Sequence, residues 1–415
     1  MPTDAQVESA EAALRHNIRL LTPTAPASLS RAAEEIGGAE GLALLAHRAA
    51  VEALAVEGLR PDQERVLRRT AQTAGGHVLS DREGTRALLI GPIGVLASVA
   101  AHLFEWGSAT EDLSRALSAA LASRHARPPI ACGERKLTAA GGATLVMGVV
   151  NATPDSFSGD GVGGDVDAAV ELAQQMVADG ADAVDVGGES TRPNSQPVDA
   201  ATELSRVLPI VEALAARLPV PVSIDTRKAE VAAAAIAAGA TMVNDVWGLR
   251  GDPAMAQVLA AQPEVALVVM HNRRGHQYRD LLADIARDLR ESLLVAARNG
   301  IEPHRIVVDP GFGFGKTPAQ NLELVQRLGE LGGIGHPLLV GPSRKSTIGL
   351  VLGGAPPELR VEGTLALCIL AVAAGAEMVR VHDVAAVRRG LRLADAVLRE
   401  IPEEVREAPL PGPTG

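Results

Sequence analysis

Eight times between Thr144 and about residue 400, a short apolar run is followed by an amphipathic stretch. The apolar runs are residues 145–150, 183–187, 222–225, 242–246, 266–270, 305–309, 338–341 and 378–381. They are continuous rather than alternating, as strands buried on both faces are. The intervening helical stretches are 166–178, 201–216, 229–237, 253–260, 279–299, 319–328, a segment through 365–373, and 385–400. Eight βα units over roughly 250 residues match a closed (β/α)8 TIM barrel in number and size. An open doubly wound sheet rarely needs eight uninterrupted parallel strands, and the first strand lacks the G-x-G-x-x-G phosphate fingerprint.

The chain is 415 residues long, so a second domain is expected. Residues 1–130 read as a small, mostly helical or α/β domain. Helices are expected at 5–20, 41–59, 61–74, 94–105 and 112–122, with one strand at 87–90. No chemical constellation occurs there, which points to packing or assembly. The stretch Arg127-Pro128-Pro129-Ile130-Ala131-Cys132-Gly133 is the expected linker, with the barrel domain over 140–402. The Pro-rich end, 403–415, reads as a disordered tail.

Composition narrows the function. Net charge is −11, no basic face stands out and aromatic residues make up only 2%, so a nucleic-acid partner is not expected. Two cysteines, Cys132 and Cys368, suggest neither a disulfide framework nor a zinc site. The first residues lack the order of a signal peptide, and no apolar run is long enough to span a bilayer, so a cytoplasmic setting without membrane contact is expected. There are only four lysines, Lys136, Lys228, Lys316 and Lys345, against thirty-five arginines. A lysine kept in such a chain suits a place that needs a compact ammonium. Lys316 and Lys345, both in Gly- or Ser-flanked loops after strands, are the candidates; Lys228 reads as a surface charge at a helix start.

In a barrel, the carboxyl ends of the strands converge on one mouth. Here every strand ends polar: Asn151 with Asp155; Asp185 with Glu189, Ser190, Thr191 and Arg192; Asp225 through Lys228; Asn244-Asp245; His271-Asn272-Arg273; Asp309 through Lys316; Ser343-Arg344-Lys345-Ser346; and Arg380 through Asp383. Helix capping explains one such aspartate, not the whole set. Asp225, Asn244 and Asp309 are short acceptors and amides suited to a ring rich in N–H donors. Arg273, Arg344, Lys345, Arg380 and His382 supply positive charge, and Ser346 opens a helix whose N–H groups attract an anion. A polar heterocycle joined to phosphate fits this mouth. Asn151 and the acids of its loop suit a hard cation such as Mg²⁺. Asp185 and Glu189 read equally well as rim braces, and His271 as a core histidine.

These strings resemble the dihydropteroate synthase family. NATPDSFS (151–158), GGESTRP (187–193), DPGFGFGKT (309–317), SRKS (343–346) and RVHD (380–383) occur in the family's order and spacing across the barrel. The resemblance implies a transferase that joins p-aminobenzoate to 7,8-dihydropterin pyrophosphate and releases pyrophosphate. It implies pterin binding by Asp225, Asn244, Asp309 and Lys345. It implies anion contacts from Asn151, Arg380 and His382, with Mg²⁺ at Asn151. Asp155, Thr191, Arg192, Pro193, Phe314 and Ser346 would shape the p-aminobenzoate pocket, and a homodimer through barrel helices is implied. The chain departs from the family at Gly159-Asp160, Asn194 and Trp247. Three other readings compete: a methyltetrahydrofolate–corrinoid methyltransferase, a Schiff-base aldolase with Lys345 activated by Arg344, and a pterin-binding protein without catalysis.

Overall fold

A computed structural model describes residues 4–21, 51–123, 129–133, 135–137, 143–153, 163, 165–189, 198–399 and 403–406. Strands are labelled in chain order. β1 (Arg19–Leu21), β2 (Glu52–Glu57), β3 (His77–Ser80) and β4 (Arg86–Gly91) form an antiparallel sheet in the order β1-β2-β4-β3. Helices Asp4–His16, Pro61–Ala74, Ile93–Glu105 and Glu111–Ala122 accompany it. Leu54, Leu67, Leu89, Leu96, Leu103, Leu113 and Leu117 share one core there, so the amino-terminal region is an α/β unit. The expected helix at 41–59 is wrong over its described part, because residues 52–57 are strand. Glu-Ala-Leu-Ala-Val-Glu favours helix locally, but pairing with β4 and β1 decides otherwise.

β5 (Ile130–Cys132) and β6 (Arg135–Leu137) form a hairpin. Ile130, Cys132 and Leu137 pack with Leu145, Met147, Ala183, Met242, Ala266, Val307, Leu339 and Met378, residues from the amino-terminal halves of barrel strands. The segment expected as a linker therefore packs with the barrel, and the expected boundary at 140 cuts too late. The hairpin is also tied down by polar bonds: Gly133 N–H donates to the Glu264 carbonyl at 2.7 Å.

The barrel strands are β7 (Leu145–Asn151), β8 (Ala183–Gly187), β9 (Val222–Asp225), β10 (Met242–Asp245), β11 (Ala266–Met270), β12 (Ile306–Asp309), β13 (Leu339–Val340) and β14 (Met378–Val381). All neighbours pair in parallel, in the order β12-β11-β10-β9-β8-β7-β14-β13. A single bridge, Val308 opposite Leu338, joins β12 to the start of β13 and closes the ring. This is the expected (β/α)8 barrel. Helices 166–178 and 229–237 fall exactly where expected, and the others within a few residues. Asp165, Asp199, Asp280 and Thr317 cap helix N-termini with their side chains, which places polar residues at the strand-to-helix turns for a structural reason as well.

Within the expected disordered tail, Glu403–Arg406 forms a short helix. Residues 407–415 lie outside the described part. No described helix is long and apolar enough to cross a membrane.

Candidate active site

The mouth of the barrel is organised around two carboxylates that share one guanidinium. Arg380, on β14, donates from Nε to Asp185 Oδ2 at 2.6 Å and from a terminal nitrogen to Asp225 Oδ2 at 2.8 Å. Asn244 Nδ2 donates to the same Asp185 oxygen at 2.9 Å. Asp185 is fully buried, and its other oxygen has no hydrogen bond among the described residues. One cation cannot fully neutralise two buried acids. Burial, opposed by Arg380 and reinforced by Asp185, pushes the Asp225 carboxyl up to about 7.

Asp309 closes the ring from β12. Its Oδ1 accepts from Gly311 N–H at 2.7 Å, and burial raises its pKa against the pull of Lys345, Lys316 and Arg380. Lys345 is the residue before helix Ser346–Val351. Its ammonium donates to the Phe312 carbonyl and lies 4.4 Å from the centre of the Phe314 ring. Burial drags it down to about 8, opposed by Asp309 and Asp225 and assisted by Arg380. Arg344 takes no part in this. Its guanidinium is held by Asp383 at 2.5 and 2.9 Å, which removes the activation that the aldolase reading required.

Loop 310–316 is built on glycines in the left-handed region. Gly311 has φ of 70°, and a Cβ there would lie 2.0 Å from the His271 carbonyl oxygen; at Gly313, with φ of 84°, it would lie 2.7 Å from Lys345 Cδ. Lys316 is buried in the same loop, and its ammonium has three acceptors: His271 Nδ1 at 3.0 Å, the Gly311 carbonyl at 3.0 Å and the Phe314 carbonyl at 3.1 Å. His271 Nε2 is 3.0 Å from Asp288, which also takes Arg273 at 2.7 Å. Burial and Lys316 push His271 down to about 3, so it is a neutral ring that donates to Asp288 and accepts from Lys316. Burial also lowers Lys316 to about 7. Arg273, expected among the free positive charges of the mouth, is tied to this cluster instead.

The neighbouring strands β13, β14 and β7 bring Ser343, His382 and Asn151 to the mouth. His382 Nδ1 is 2.9 Å from Ser343 Oγ, and Nε2 is 3.4 Å from the Asn151 amide. Ser346 is exposed at the start of its helix. Lys228 is not a solvated surface charge: it bridges Glu189 and buried Glu203, while Arg227 adds a bond to Glu189 at 3.1 Å. Trp247 donates its backbone N–H to Asp245 at 2.9 Å. Asp155, Asp160, Thr191, Arg192, Pro193 and Asn194 lie outside the described residues.

The structure thus brings Asp225, Asn244, Asp309, Lys345 and Arg380 together, with Phe314 beside Lys345. Asn151 and His382 form a separate pair. Sequence reading undervalued Asp185. Its signal was an acid inside an otherwise apolar strand, a position that buries a charge and so demands partners.

Residues 147–382 match the family model described as pterin binding enzyme. The chain is 46% identical over 257 residues to the dihydropteroate synthase of Bacillus subtilis, covering 62% of this chain and 90% of that one. Among solved structures it is similar to Xanthomonas albilineans dihydropteroate synthase with 4-aminobenzoic acid (42% identity, TM-score 0.62, covering 68% of this chain and 100% of the other). It is also similar to the Burkholderia cenocepacia enzyme complexed with 7,8-dihydropteroate (41% identity, TM-score 0.59, covering 65% and 96%). The relatives are covered almost entirely, and about a third of this chain falls outside each match.

Proposed function

The chain belongs to the pterin-binding enzyme family and carries out the dihydropteroate synthase reaction of folate synthesis, and on that premise we propose how its barrel mouth divides the work. The substrates are 7,8-dihydropterin pyrophosphate and p-aminobenzoate; the products are 7,8-dihydropteroate and pyrophosphate. The observation that carries the assignment of roles is the convergence of Asp225, Asn244, Asp309, Lys345 and Arg380 in one buried space. Asp225 and Asp309 accept from the pterin's N–H groups, and Asn244 offers both an acceptor and a donor. Lys345 donates to the ring from the side of Asp309.

The arylamine nitrogen attacks the methylene carbon with its own lone pair. The carbon–oxygen bond to the diphosphate breaks, the electron pair leaves with that oxygen, and the nitrogen loses a proton. Positive charge that develops on the carbon is spread into the pterin, where the ionised aspartates stabilise it. Asn151, His382 and Arg380 receive the departing anion, with Arg380 shared between the anion and its two aspartates. Phe314, with Ser346, Thr191, Arg192 and Pro193, shapes the p-aminobenzoate side, and Asp155 serves from the first loop.

No group of three acidic, histidine or cysteine ligands occurs among the described residues. A single amide oxygen from Asn151 fits Mg²⁺, which commonly takes few protein ligands and completes its shell with phosphate oxygens and water. When bound, the ion adds charge stabilisation for the leaving diphosphate.

We place the enzyme in the cytoplasm as a homodimer. The outer faces of helices 346–351, 361–373 and 384–398 expose Leu350, Val351, Leu370, Leu393 and Val397, and a second copy would cover them. The methyltransferase reading has no use for the anion contacts at Asn151 and His382. The aldolase reading loses Arg344 to Asp383, but burial and Arg380 still lower Lys345, so borohydride trapping with a carbonyl substrate decides it.

The test mixes purified protein with both substrates and Mg²⁺ and follows dihydropteroate and pyrophosphate together. Equal appearance of both, abolished by chelation, supports the reading. Pterin binding without either product would overturn it.

A further inference from the structure

Helix Leu281–Arg298 joins two parts of the molecule that the reaction itself does not connect. One face carries Asp284 and Asp288, four residues apart and therefore side by side. Asp288 holds His271 and Arg273, and His271 holds Lys316, whose other two bonds close loop 310–316 onto itself. That loop presents the Phe312 carbonyl and the Phe314 ring to Lys345.

An adjoining face of the helix is gripped by the amino-terminal unit. Asn17 donates to the Ala283 carbonyl at 2.9 Å and to Glu57 at 3.1 Å. Arg287 pairs with Glu57. Arg290 is 4% exposed and donates to the Asn17 side chain, the Ile18 carbonyl and, at 3.3 Å, the Gly333 carbonyl. Arg298 reaches Glu11 at 2.8 Å. Asn17 is fully buried with a φ of 41°, a conformation that asparagine tolerates better than most residues. A buried arginine with this many acceptors fixes geometry more than it adds stability.

We propose that the amino-terminal unit is a positioning element for the p-aminobenzoate side of the site. It fixes helix 281–298, and through Asp288, His271 and Lys316 it holds loop 310–316 in the shape that sets Phe314 against Lys345. The proposal rests on the p-aminobenzoate pocket assigned above. It gives a task to a unit that holds none of the reacting groups, and makes Lys316, Asn17 and Arg290 positioning residues rather than catalytic ones.

The test uses the full chain with Arg287→Ala and, separately, Asn17→Ala. Amide hydrogen exchange of residues 311–316 is read in the substrate-free protein, alongside KM for each substrate, kcat and melting temperature. Loop exchange should speed up and KM for p-aminobenzoate should rise roughly fivefold or more, with a smaller rise for the pterin substrate because Gly311 and Phe312 also hold Asp309 and Lys345. In a Lys316→Met background the same interface changes should add nothing to loop exchange. A lower melting temperature with loop exchange and KM unchanged would overturn the proposal, as would additive effects in that background. Should Asn17→Ala fail to fold, Arg287→Ala decides, because its side chain is 38% exposed and its loss leaves the buried core intact. The exchange measurement needs no turnover, so it separates failure of this proposal from failure of the catalytic assignment.

Discussion

Replacing Asp185 with asparagine tests the electrostatic design of the mouth most directly. Asp185 Oδ2 receives two hydrogen bonds, from Arg380 at 2.6 Å and Asn244 at 2.9 Å, while its other oxygen receives none. The amide of Asp185→Asn keeps one oxygen for both donors and puts its NH2 where the unbonded oxygen was. Shape is preserved and the charge alone is lost. A hydrogen bond to a charged group contributes about 1.5–3 kcal/mol, which at about 1.4 kcal/mol per decade is roughly 10- to 150-fold. The expected result is a fall of that order in kcat/KM for the pterin substrate, with little change in KM for p-aminobenzoate.

A second readout is the pH profile. Asp225 stands at about 7, partly because Asp185 repels its ionised form. The pterin N–H groups need an ionised acceptor, so wild-type kcat/KM for the pterin substrate should fall as pH drops through that value. Without the Asp185 charge Asp225 ionises more easily, and the acid limb should move to lower pH. Steady-state kinetics across the pH range checks both. A loss of activity below about threefold together with an unmoved acid limb would refute the shared-arginine account.

Three further outcomes are expected. Lys345→Ala should fold normally and lose turnover by about a hundredfold or more, and near-normal rates would remove the lysine from the mechanism. Lys316 stands at about 7 in the folded protein and near 10.4 when unfolded, so between those values the unfolded chain binds more protons and stability should rise with pH. Lys316→Met should flatten that rise in urea unfolding at roughly pH 7.5 and 9.5; parallel curves for the two proteins would refute the assignment. The proposed dimer should appear in sedimentation of the wild type and be lost in Leu393→Asp; a wild type that sediments as a monomer would refute it.

The barrel was legible because its buried parallel strands are mostly apolar and turn polar at their ends, so 145–150 and 266–270 read cleanly, while Asp185 and Ser223 interrupt their strands from within. Of the amino-terminal sheet only β4 was legible, its residues 87–90 reading as strand. β2 is made of helix-favouring residues, and β3 spans only four, too few for a pattern to show. For the site, the strand ends named which residues reach the mouth but not how they pair. Arg380 was read as an anion contact, yet its hydrogen bonds run to two aspartates more than 150 residues away in sequence. Lys228 looked like a surface charge because its partners, Glu189 and Glu203, come from another βα unit. Long-range pairing of this kind leaves no local trace.

The ring of strands is joined between β12 and β13 by one bridge, and β13 itself is only two residues long. Asp309 ends the strand on one side of that junction, and Lys345 follows the strand on the other. The seam with the fewest backbone pairs therefore runs beneath two of the groups proposed to hold the pterin. Asp225 and Asn244 stand on β9 and β10, away from that seam, whereas Arg380 stands on β14, next to β13. The place where the wall of the barrel is held by the fewest backbone pairs is therefore also the place from which Asp309 and Lys345 enter the mouth.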